Sequence, residues 1–149
     1  MPPPTDPSAD YRRYVASIVL FHMAAADAVG VGATDYQAWN VLALDGPLTS
    51  GELAQRLGLS TGATTRLVDR LTASGAARRV PDPADRRRVL VESTGAVPDR
   101  LAEILATVRE PIGRALGGLD AAQREGAAAY FRAAADTYRA AAGSLRRDA

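Results

Sequence analysis

Five arginines lie within eleven residues of the stretch from Arg78 to Glu92, on both sides of the turn sequence PDPAD. A guanidinium keeps its charge at any physiological pH and binds phosphate oxygens with a fork of donors, so such a cluster indicates recognition of a polyanion. The simpler alternative is a surface hairpin in which Asp82 and Asp85 pair with the arginines of the segment 86–88. That alternative accounts for two of the five arginines and leaves three without partners.

Other kinds of chemistry have few residues available. The chain has no cysteine and a single histidine, which excludes disulfides, thiolate metal sites and thiol redox switching. No nucleophile paired with a base, no glycine loop shaped for phosphate and no cluster of metal ligands is present. We therefore expect a protein that is not an enzyme and that has no cofactor and no metal site.

The charge of the chain is distributed unevenly. All 18 basic residues are arginines, and the net charge of the 149 residues is only +1. The segment from Thr49 to Glu92 contains eight arginines and five acidic residues, a net charge of +3. The rest of the chain contains ten arginines and twelve acidic residues, a net charge of −2. A basic face on a balanced body is typical of proteins that bind nucleic acids.

Composition predicts a soluble globular protein. Hydrophobic residues make up 47% of the chain and charged residues 23%, and no apolar run has the length of a membrane span. The first ten residues also lack a basic segment followed by an apolar one, as a secretory signal would have. We expect a cytoplasmic protein without a membrane partner.

The arginine cluster follows a series of predicted helices. A first amphipathic helix carries Tyr11, Tyr14, Ile18, Phe21 and Ala25 at steps of three and four, and it should end near Gly30 and Gly32. A second helix, capped by Thr34, should stop at the turn formed by residues 45–47.

Two short helices then form a predicted helix-turn-helix. Thr49 and Glu52 make a capping box that opens the first of them, and Gly58 ends it. Ser60 caps the second helix and Gly75 ends it. The small residues Ala54 and Gly58 let the two helices lie close together, as this motif requires.

The second short helix has the composition of a DNA recognition helix. Its apolar residues Ala63, Leu67, Val68 and Leu71 form an inward stripe. Small hydroxyls and arginine near a helix N-terminus suit base edges and phosphates in a major groove. The predicted contacts to DNA are Ser60, Thr61, Gly62, Thr64, Thr65, Arg66 and Arg70.

The arginine cluster then reads as a wing. The segments ARRV and RRVLVE have the pattern of two strands, and PDPAD supplies the turn of a β-hairpin between them. Arginines at a hairpin tip can enter the minor groove, whose negative potential attracts them. The predicted wing contacts are Arg78, Asp85, Arg86, Arg87 and Arg88.

From Thr34 to about Thr94 the chain resembles the winged helix-turn-helix of the multiple-antibiotic-resistance regulator (MarR) family, and the residues that carry the resemblance run from Leu48 to Glu92. The wing of that family resembles Asp-x-Arg-Asp-x-Arg, and Asp82, Ala84, Asp85 and Arg87 occupy those positions here, so only the middle arginine is missing. The resemblance implies a mainly α fold with a two-stranded β-hairpin wing. It also implies a homodimeric, cytoplasmic repressor of transcription that binds double-stranded DNA at a pseudo-palindromic operator.

The resemblance also gives the chain a division into three parts. Residues 1–33 would form an arm and dimerisation helix, 34–93 the DNA-binding domain, and 94–149 the C-terminal dimerisation helices. The fifth helix has an apolar stripe too long for one small domain to cover, made of Leu101, Ile104, Leu105, Val108, Ile112 and Leu116. Pro98 should move the start of this helix to Val97, and Pro111 should kink or break it. Asp120 and Gln123 should cap the last helix, whose apolar face continues to Leu145.

Family resemblance further implies a small aromatic or anionic effector, with an uncharged effector or none at all left open as alternatives. Its predicted pocket is lined by Tyr14, Ile18, His22, Tyr36 and Trp39, although the same residues would serve equally well as core. Two other classes of function stay open at this point. One is a winged-helix module that binds protein without sequence-specific DNA binding, and the other is a small-molecule-binding or metabolic protein.

Overall fold

A computed structural model describes residues 7–147 and shows a mostly helical chain with a small antiparallel sheet. The helices of the described part are α1 (Pro7–Ala28), α2 (Ala33–Asp45), α3 (Ser50–Leu57), α4 (Thr61–Ala73), α5 (Asp99–Gly117) and α6 (Ala121–Arg147). Its strands are β1 (Leu48–Thr49), β2 (Ala77–Pro81) and β3 (Val89–Ser93). The predicted proline-rich start of the arm, residues 1–6, lies outside the described residues.

Local capping signals fix the ends of the helix-turn-helix as predicted. The Thr49 hydroxyl accepts a hydrogen bond from the Glu52 backbone N–H at 3.2 Å, while the Glu52 carboxylate accepts from the Thr49 N–H at 2.7 Å. Gly58 ends α3 in the left-handed region, with φ of 69°, where a side chain would be strained. Ser60 caps α4 by accepting from the Ala63 N–H at 3.3 Å. These reciprocal bonds satisfy backbone donors that a helix end leaves free.

The predicted cap of α2 is wrong. Thr34 lies inside the helix, and the cap position belongs to Gly32, which has no side chain to accept a bond. The start of α2 is fixed instead by the turn after α1, where the Val31 N–H donates to the Ala26 carbonyl.

The sheet has three strands in the order β1-β3-β2, one more than the two-stranded hairpin predicted. Leu48 and Thr49 of β1 pair with Val91 and Leu90 of β3. The extra strand ties the start of the helix-turn-helix to the wing, and the side chains of Leu48 and Val91 are both buried there.

One core joins the winged-helix lobe, residues 34–93, to the helices on either side of it. Buried Leu53, Leu67 and Val68 of α3 and α4 belong to the same cluster as Ala26 of α1 and Leu101 of α5. Tyr36 and Trp39 of α2 are also buried in this cluster, as their reading as core residues predicted. The lobe therefore cannot shift freely against α1 and α5 without disturbing shared packing.

Pro98 and Pro111 do not affect α5 in the predicted way. Pro98 occupies the N-cap position, so the helix begins at Asp99 rather than at Val97. Pro111 lies within a continuous helix, and the predicted break is absent. The neighbours of Pro111 are exposed, so the carbonyl that loses its bond to a proline can be satisfied by water.

Helix α6 leaves most of its apolar side chains exposed. Tyr130, Phe131, Tyr138 and Leu145 are each between 46% and 73% exposed. Asp120 and Gln123 cap this helix by reciprocal bonds of 2.8 and 2.9 Å, as predicted.

An aromatic cluster joins α6 to α1. Tyr11 stacks on Tyr138, and Tyr14 packs against Phe131, with ring centroids 6.5 Å apart in both pairs. The hydrogen bond between the hydroxyls of Tyr11 and Tyr138 raises the pKa of Tyr11 to about 12.

Within residues 7–147, no single helix combines the length and the apolarity needed to cross a membrane. The bent pair of α1 and α2, which meet at 108°, passes such a test together, on length and composition alone.

Candidate nucleic-acid interface

The exposed face of α4 presents small polar residues and one arginine. Thr61, Gly62, Thr65 and Arg66 are exposed at the N-terminal half of the helix, next to the exposed capping residue Ser60. The Thr65 hydroxyl donates to the Thr61 carbonyl at 3.0 Å. Among the described residues, Arg66 has no ion-pair partner, so its guanidinium is available to an external acceptor.

One residue predicted for this face is misplaced. Thr64 is 1% exposed, and its hydroxyl donates to the Ser60 carbonyl at 3.0 Å. It lies one position from Ala63 and Thr65, and the helical period turns it inward beside Leu67 and Val68. Thr64 therefore supports the packing of α4 and cannot contact DNA.

Arg70 lies at the other end of α4 and is bound within the protein. Its guanidinium donates to both oxygens of the Asp35 carboxylate, at 2.7 and 2.6 Å. This bond raises the pKa of Arg70 above its ordinary value. The pair connects the recognition helix to α2, so Arg70 holds α4 in place rather than standing free for phosphate.

A second ion pair connects α4 to the wing. Asp69, on the exposed face of α4, accepts from Arg79 of β2 at 2.7 Å. Sequence reasoning missed both Asp35 and Asp69 as partners, because each pair joins elements that are distant in the chain.

Two aspartates shape the tip of the wing. Asp82 accepts from the Ala84 N–H at 2.8 Å, and Asp85 accepts from the Arg87 N–H at 3.0 Å. In both cases a carboxylate bonds to the backbone two residues ahead, the pattern that stabilises tight turns. Asp85, which was predicted to contact DNA, therefore holds the turn and carries the wrong charge for phosphate.

The arginines of the wing are more fully paired than the sequence suggested. Ion pairs join Arg78 to Glu92 at 2.6 Å, Arg87 to Asp85 at 3.3 Å and Arg88 to Asp82 at 3.6 Å, in addition to the Arg79 pair. Four of the five arginines thus have partners, so the objection that a plain surface hairpin would leave three arginines unpaired is wrong. Arg86 has none among the described residues.

The wing arginines differ in how far their side chains are exposed, and so in whether they can contact DNA. The Arg87 side chain is 92% exposed at the tip, so its long contact with Asp85 is solvated and weak. Arg88 turns back toward the nearly buried Asp82, and its charge also helps to lower the pKa of Glu52, although the Thr49 bonds are the larger cause. The free charges of the interface are therefore Arg66 on α4 with Arg86 and Arg87 on the wing.

The five residues predicted for an effector pocket do not share one cavity. Ile18, His22 and Tyr36 line a small cavity of about 120 Å³, where the Tyr36 hydroxyl and His22 Nδ1 share a hydrogen bond of 2.8 Å. Tyr14 lies on an open groove between α1, α5 and α6. Tyr36 and Trp39 line a larger cavity of about 420 Å³ between α2, the end of α4 and the start of α5.

The described residues were also searched for clusters of metal-ligating side chains. Residues 7–147 contain no group of three or more histidine, cysteine, aspartate or glutamate side chains placed to hold an ion.

Comparison with known proteins identifies the family of the winged-helix lobe. Residues 29–88 match the model of the MarR family, which covers α2 to the tip of the wing. The chain is 41% identical over 100 residues to the HTH-type transcriptional regulator YcgE of Bacillus subtilis. The chain belongs to the MarR family. The MarR protein of Escherichia coli is a second relative, 45% identical over 47 residues.

These MarR relatives are matched only in part. The match to YcgE covers 67% of this chain and 65% of YcgE, and the match to E. coli MarR covers 32% and 33%. The family model likewise matches residues 29–88 alone.

Solved MarR structures share the fold at low sequence identity. The regulator Tm0710 of Thermotoga maritima superposes with a TM-score of 0.60 at 22% identity, over 89% of this chain and 94% of that one. A MepR variant from Staphylococcus aureus gives 0.70 at 14% identity, over 91% and 99%. A second MepR variant, bound to an oligodeoxyribonucleotide, gives 0.56 at 14% identity, over 88% and 96%.

Proposed function

We propose that this chain is a homodimeric repressor of transcription that binds a pseudo-palindromic operator. Helix α4 enters the major groove, and the tip of the wing enters the adjacent minor groove. The observation that carries the proposal is the position of the unpaired cations, since Arg66 and Arg86 lie on the two elements that a winged helix presents to DNA.

The contacts differ in kind between the two elements. Arg66 lies beside Thr61, Gly62 and Thr65, whose side chains are short. Its guanidinium can therefore reach the O6 and N7 atoms of a guanine. Arg86 and Arg87 extend from a turn that two aspartates hold rigid. A minor groove selects for charge and groove width more than for base identity.

The ion pairs at Asp35 and Asp69 support this arrangement. They join α4 to α2 and to β2, so the recognition helix and the wing are held at a fixed relative angle. A rigid reading surface loses less conformational entropy on binding than a mobile one.

A second copy of the chain is the proposed cover for the exposed apolar side chains of α1, α5 and α6. Tyr14 of α1, Ile112 of α5 and Phe131 of α6 line one groove and are each 46% to 53% exposed. Large contiguous apolar patches of this kind mark interfaces between proteins. A two-fold dimer would present two α4 helices, and so a pseudo-palindromic site matches its symmetry.

A DNA-bound relative adds support from outside the chain. The oligodeoxyribonucleotide complex of MepR has the same fold over most of both chains.

Selection of bound fragments from the genome, followed by fluorescence anisotropy on the selected duplex, tests the proposal. We expect the affinity to fall by about a thousandfold or more between roughly 50 and 200 mM salt if six or more phosphates are contacted. The double variant Arg86→Ala, Arg87→Ala should reduce the steepness of that salt dependence. Arg100→Ala is the control, because Arg100 is also exposed, lies on α5, and pairs within the described residues with Glu103.

Two results would contradict the proposal. One is a protein that selects no fragment above random DNA, which would favour a winged-helix module that binds protein. The other is an unchanged salt dependence in the wing variant, which would remove the wing from the interface.

A further inference from the structure

Two short segments join the winged-helix lobe to the helices on either side of it. The first, residues 29–32 between α1 and α2, is held by backbone bonds: the N–H groups of Val29 and Val31 donate to the Ala26 carbonyl at 3.2 and 3.0 Å. The second, residues 94–98, runs from the end of β3 to the start of α5. The conformation of these segments sets the direction in which the lobe, and α4 with it, points away from the flanking helices.

In the second segment, the Thr94 hydroxyl bridges the end of the recognition helix and the chain that leads into α5. It donates to the Gly75 carbonyl at 2.7 Å and accepts from the Ala96 N–H at 3.2 Å. The Thr94 backbone stays with the lobe, because its N–H donates to the Ala76 carbonyl at 3.1 Å. The hydroxyl therefore attaches Ala96 to the end of α4. The two bonds of this hydroxyl are called the Thr94 clasp below.

The Gly75 carbonyl, which accepts one bond of the clasp, has a fixed position at the end of α4. Gly75 follows the last turn of the helix with φ of 75°, and its N–H donates to the Thr72 carbonyl at 3.1 Å. The next N–H, that of Ala76, donates to the Leu71 carbonyl at 3.0 Å and completes the C-terminal cap. A movement of Ala96 relative to Gly75 is therefore a movement relative to α4 itself.

On its other side, the clasp lies close to the start of α5. Val97 is half-buried and packs against the core, and Pro98 occupies the N-cap position of α5. A proline ring fixes one backbone rotation and restricts the residue before it. The chain between Ala96 and α5 therefore has little freedom of its own, and the Thr94 clasp limits the angle between α4 and α5.

We propose that Thr94 is a positioning residue that sets the separation of the two recognition helices in the dimer, and so the operator spacing that the protein accepts. The inference rests on the proposed function, because it needs a dimer that contacts two half-sites. Helix α5 belongs to the proposed dimer interface, so an angle fixed between α4 and α5 in one protomer is repeated in its partner by two-fold symmetry. The clasped lobes match one spacing of half-sites and resist others.

Loss of the clasp has two effects on DNA binding. On a well-spaced operator, a looser lobe loses more conformational entropy when it binds, so the affinity falls. One added base pair moves a half-site by about 3.4 Å and turns it by roughly 35°. A looser lobe follows that displaced half-site at a lower cost. Loss of the clasp therefore reduces the discrimination between spacings, whereas a general loss of stability would weaken binding to all operators alike.

Thr94→Val removes both bonds of the clasp and keeps the shape of the side chain. We would measure the fluorescence anisotropy of the full chain on the selected operator and on versions with one base pair added or removed between the half-sites. Thr94→Val should bind the selected operator about two- to tenfold more weakly, as expected for the loss of one or two hydrogen bonds. The ratio of its affinities for the selected and the altered spacings should fall by a similar factor. Thr94→Ser, which keeps the hydroxyl, should restore both.

Two control variants separate the clasp from other effects of substitution. Thr107→Val makes the same change on α5, where the hydroxyl donates to the Ile104 carbonyl at 2.7 Å within one helix. Ser93→Ala removes the bond of 3.1 Å that the Ser93 hydroxyl accepts from the Gly95 N–H, which lies beside the clasp but does not reach α4. Neither variant should change the discrimination between spacings.

Hydrogen exchange of the Ala96 amide tests the clasp without DNA. This amide should exchange faster in Thr94→Val than in the unaltered protein, and Thr94→Ser should protect it. Equal losses of affinity at every spacing, or unchanged discrimination in Thr94→Val, would overturn the inference and mean that the shared core alone orients the lobe. An unaltered protein that binds no selected duplex, while the hydroxyl protects its Ala96 amide, would refute the proposed function and the role in spacing with it, and the clasp itself would stand.

Discussion

Single residues in the proposed interface divide into those whose side chains are free to contact DNA and those that hold the interface in place. Arg66 belongs to the first group because it is exposed and unpaired within the described chain. Arg70, Arg79 and Arg88 belong to the second because acidic partners from other elements or from the turn bind them. Residue type alone does not separate these roles.

Arg66→Ala should therefore relax sequence preference. We expect a loss of about 1 to 3 kcal/mol on the preferred operator and a much smaller loss on random duplex, because the lost contact is to a base. Anisotropy on a set of operators with single base changes measures this. Equal losses on all sequences would assign Arg66 to phosphate instead.

Asp82 should matter more than its neighbours at the wing tip. Its nearly buried carboxylate accepts from the Ala84 N–H and faces Arg88, so Asp82→Ala removes a turn bond and leaves a guanidinium unpaired. We expect a cost of about 1 to 3 kcal/mol in the free energy of unfolding, together with weaker DNA binding. Urea denaturation checks the first, and Asp99→Ala on α5 serves as an exposed control.

Sequence reasoning succeeded at this scale where the deciding contact is local. The capping bonds of Thr49 and Ser60 join residues three apart, so the sequence contains both partners. The prediction failed for Thr64, because a shift of one residue along the helix moves a side chain from the surface to the core. It also missed that Arg70 is paired, because its partner Asp35 lies 35 residues away in the sequence.

Among the elements, α3 depends most visibly on its cap. The Thr49 hydroxyl and amide bonds lower the pKa of Glu52 below its ordinary value. A depressed pKa means that the ionised cap stabilises the folded chain above about pH 4.3, the unfolded value, and that this stabilisation is lost as pH falls through the folded value.

Glu52→Ala should therefore destabilise the chain at neutral pH and have a smaller effect in acid. Thermal unfolding at pH 7 and near pH 3 would show the difference. Glu103→Ala, in an exposed position of α5, is the matched control. A difference that stays constant across this range would mean that the carboxylate charge plays no part in the cap.

Strand β1 shows why the sheet was only partly predictable. Two residues cannot show an alternating pattern, and Leu48 and Thr49 become a strand only because β3 lies beside them. The hairpin itself was predictable, since both of its strands and its turn are contiguous in the sequence. The cavity beside α4 was not, because its walls come from four separate segments.

For the whole molecule, the exposed apolar side chains of α1, α5 and α6 predict a dimer. The chain should sediment as a dimer at micromolar concentration, and Leu116→Arg should weaken the dimer because it places a charge in the groove between α1, α5 and α6. That variant should also lose affinity for a two-half-site operator, whose centres lie about 34 Å apart. A monomeric unaltered chain, or a footprint on one half-site, would refute the dimer.

Helix α6 is 27 residues long, and an aromatic cluster joins it to α1 while most of its large apolar side chains stay exposed. With a second copy as its cover, folding of this helix becomes a bimolecular event. The intact fraction then depends on how many copies a cell holds, since dilution favours separated chains with an unsupported tail. Newly made protein would stay incomplete until its abundance passed the dissociation constant, so an operator would remain unoccupied until enough copies had accumulated.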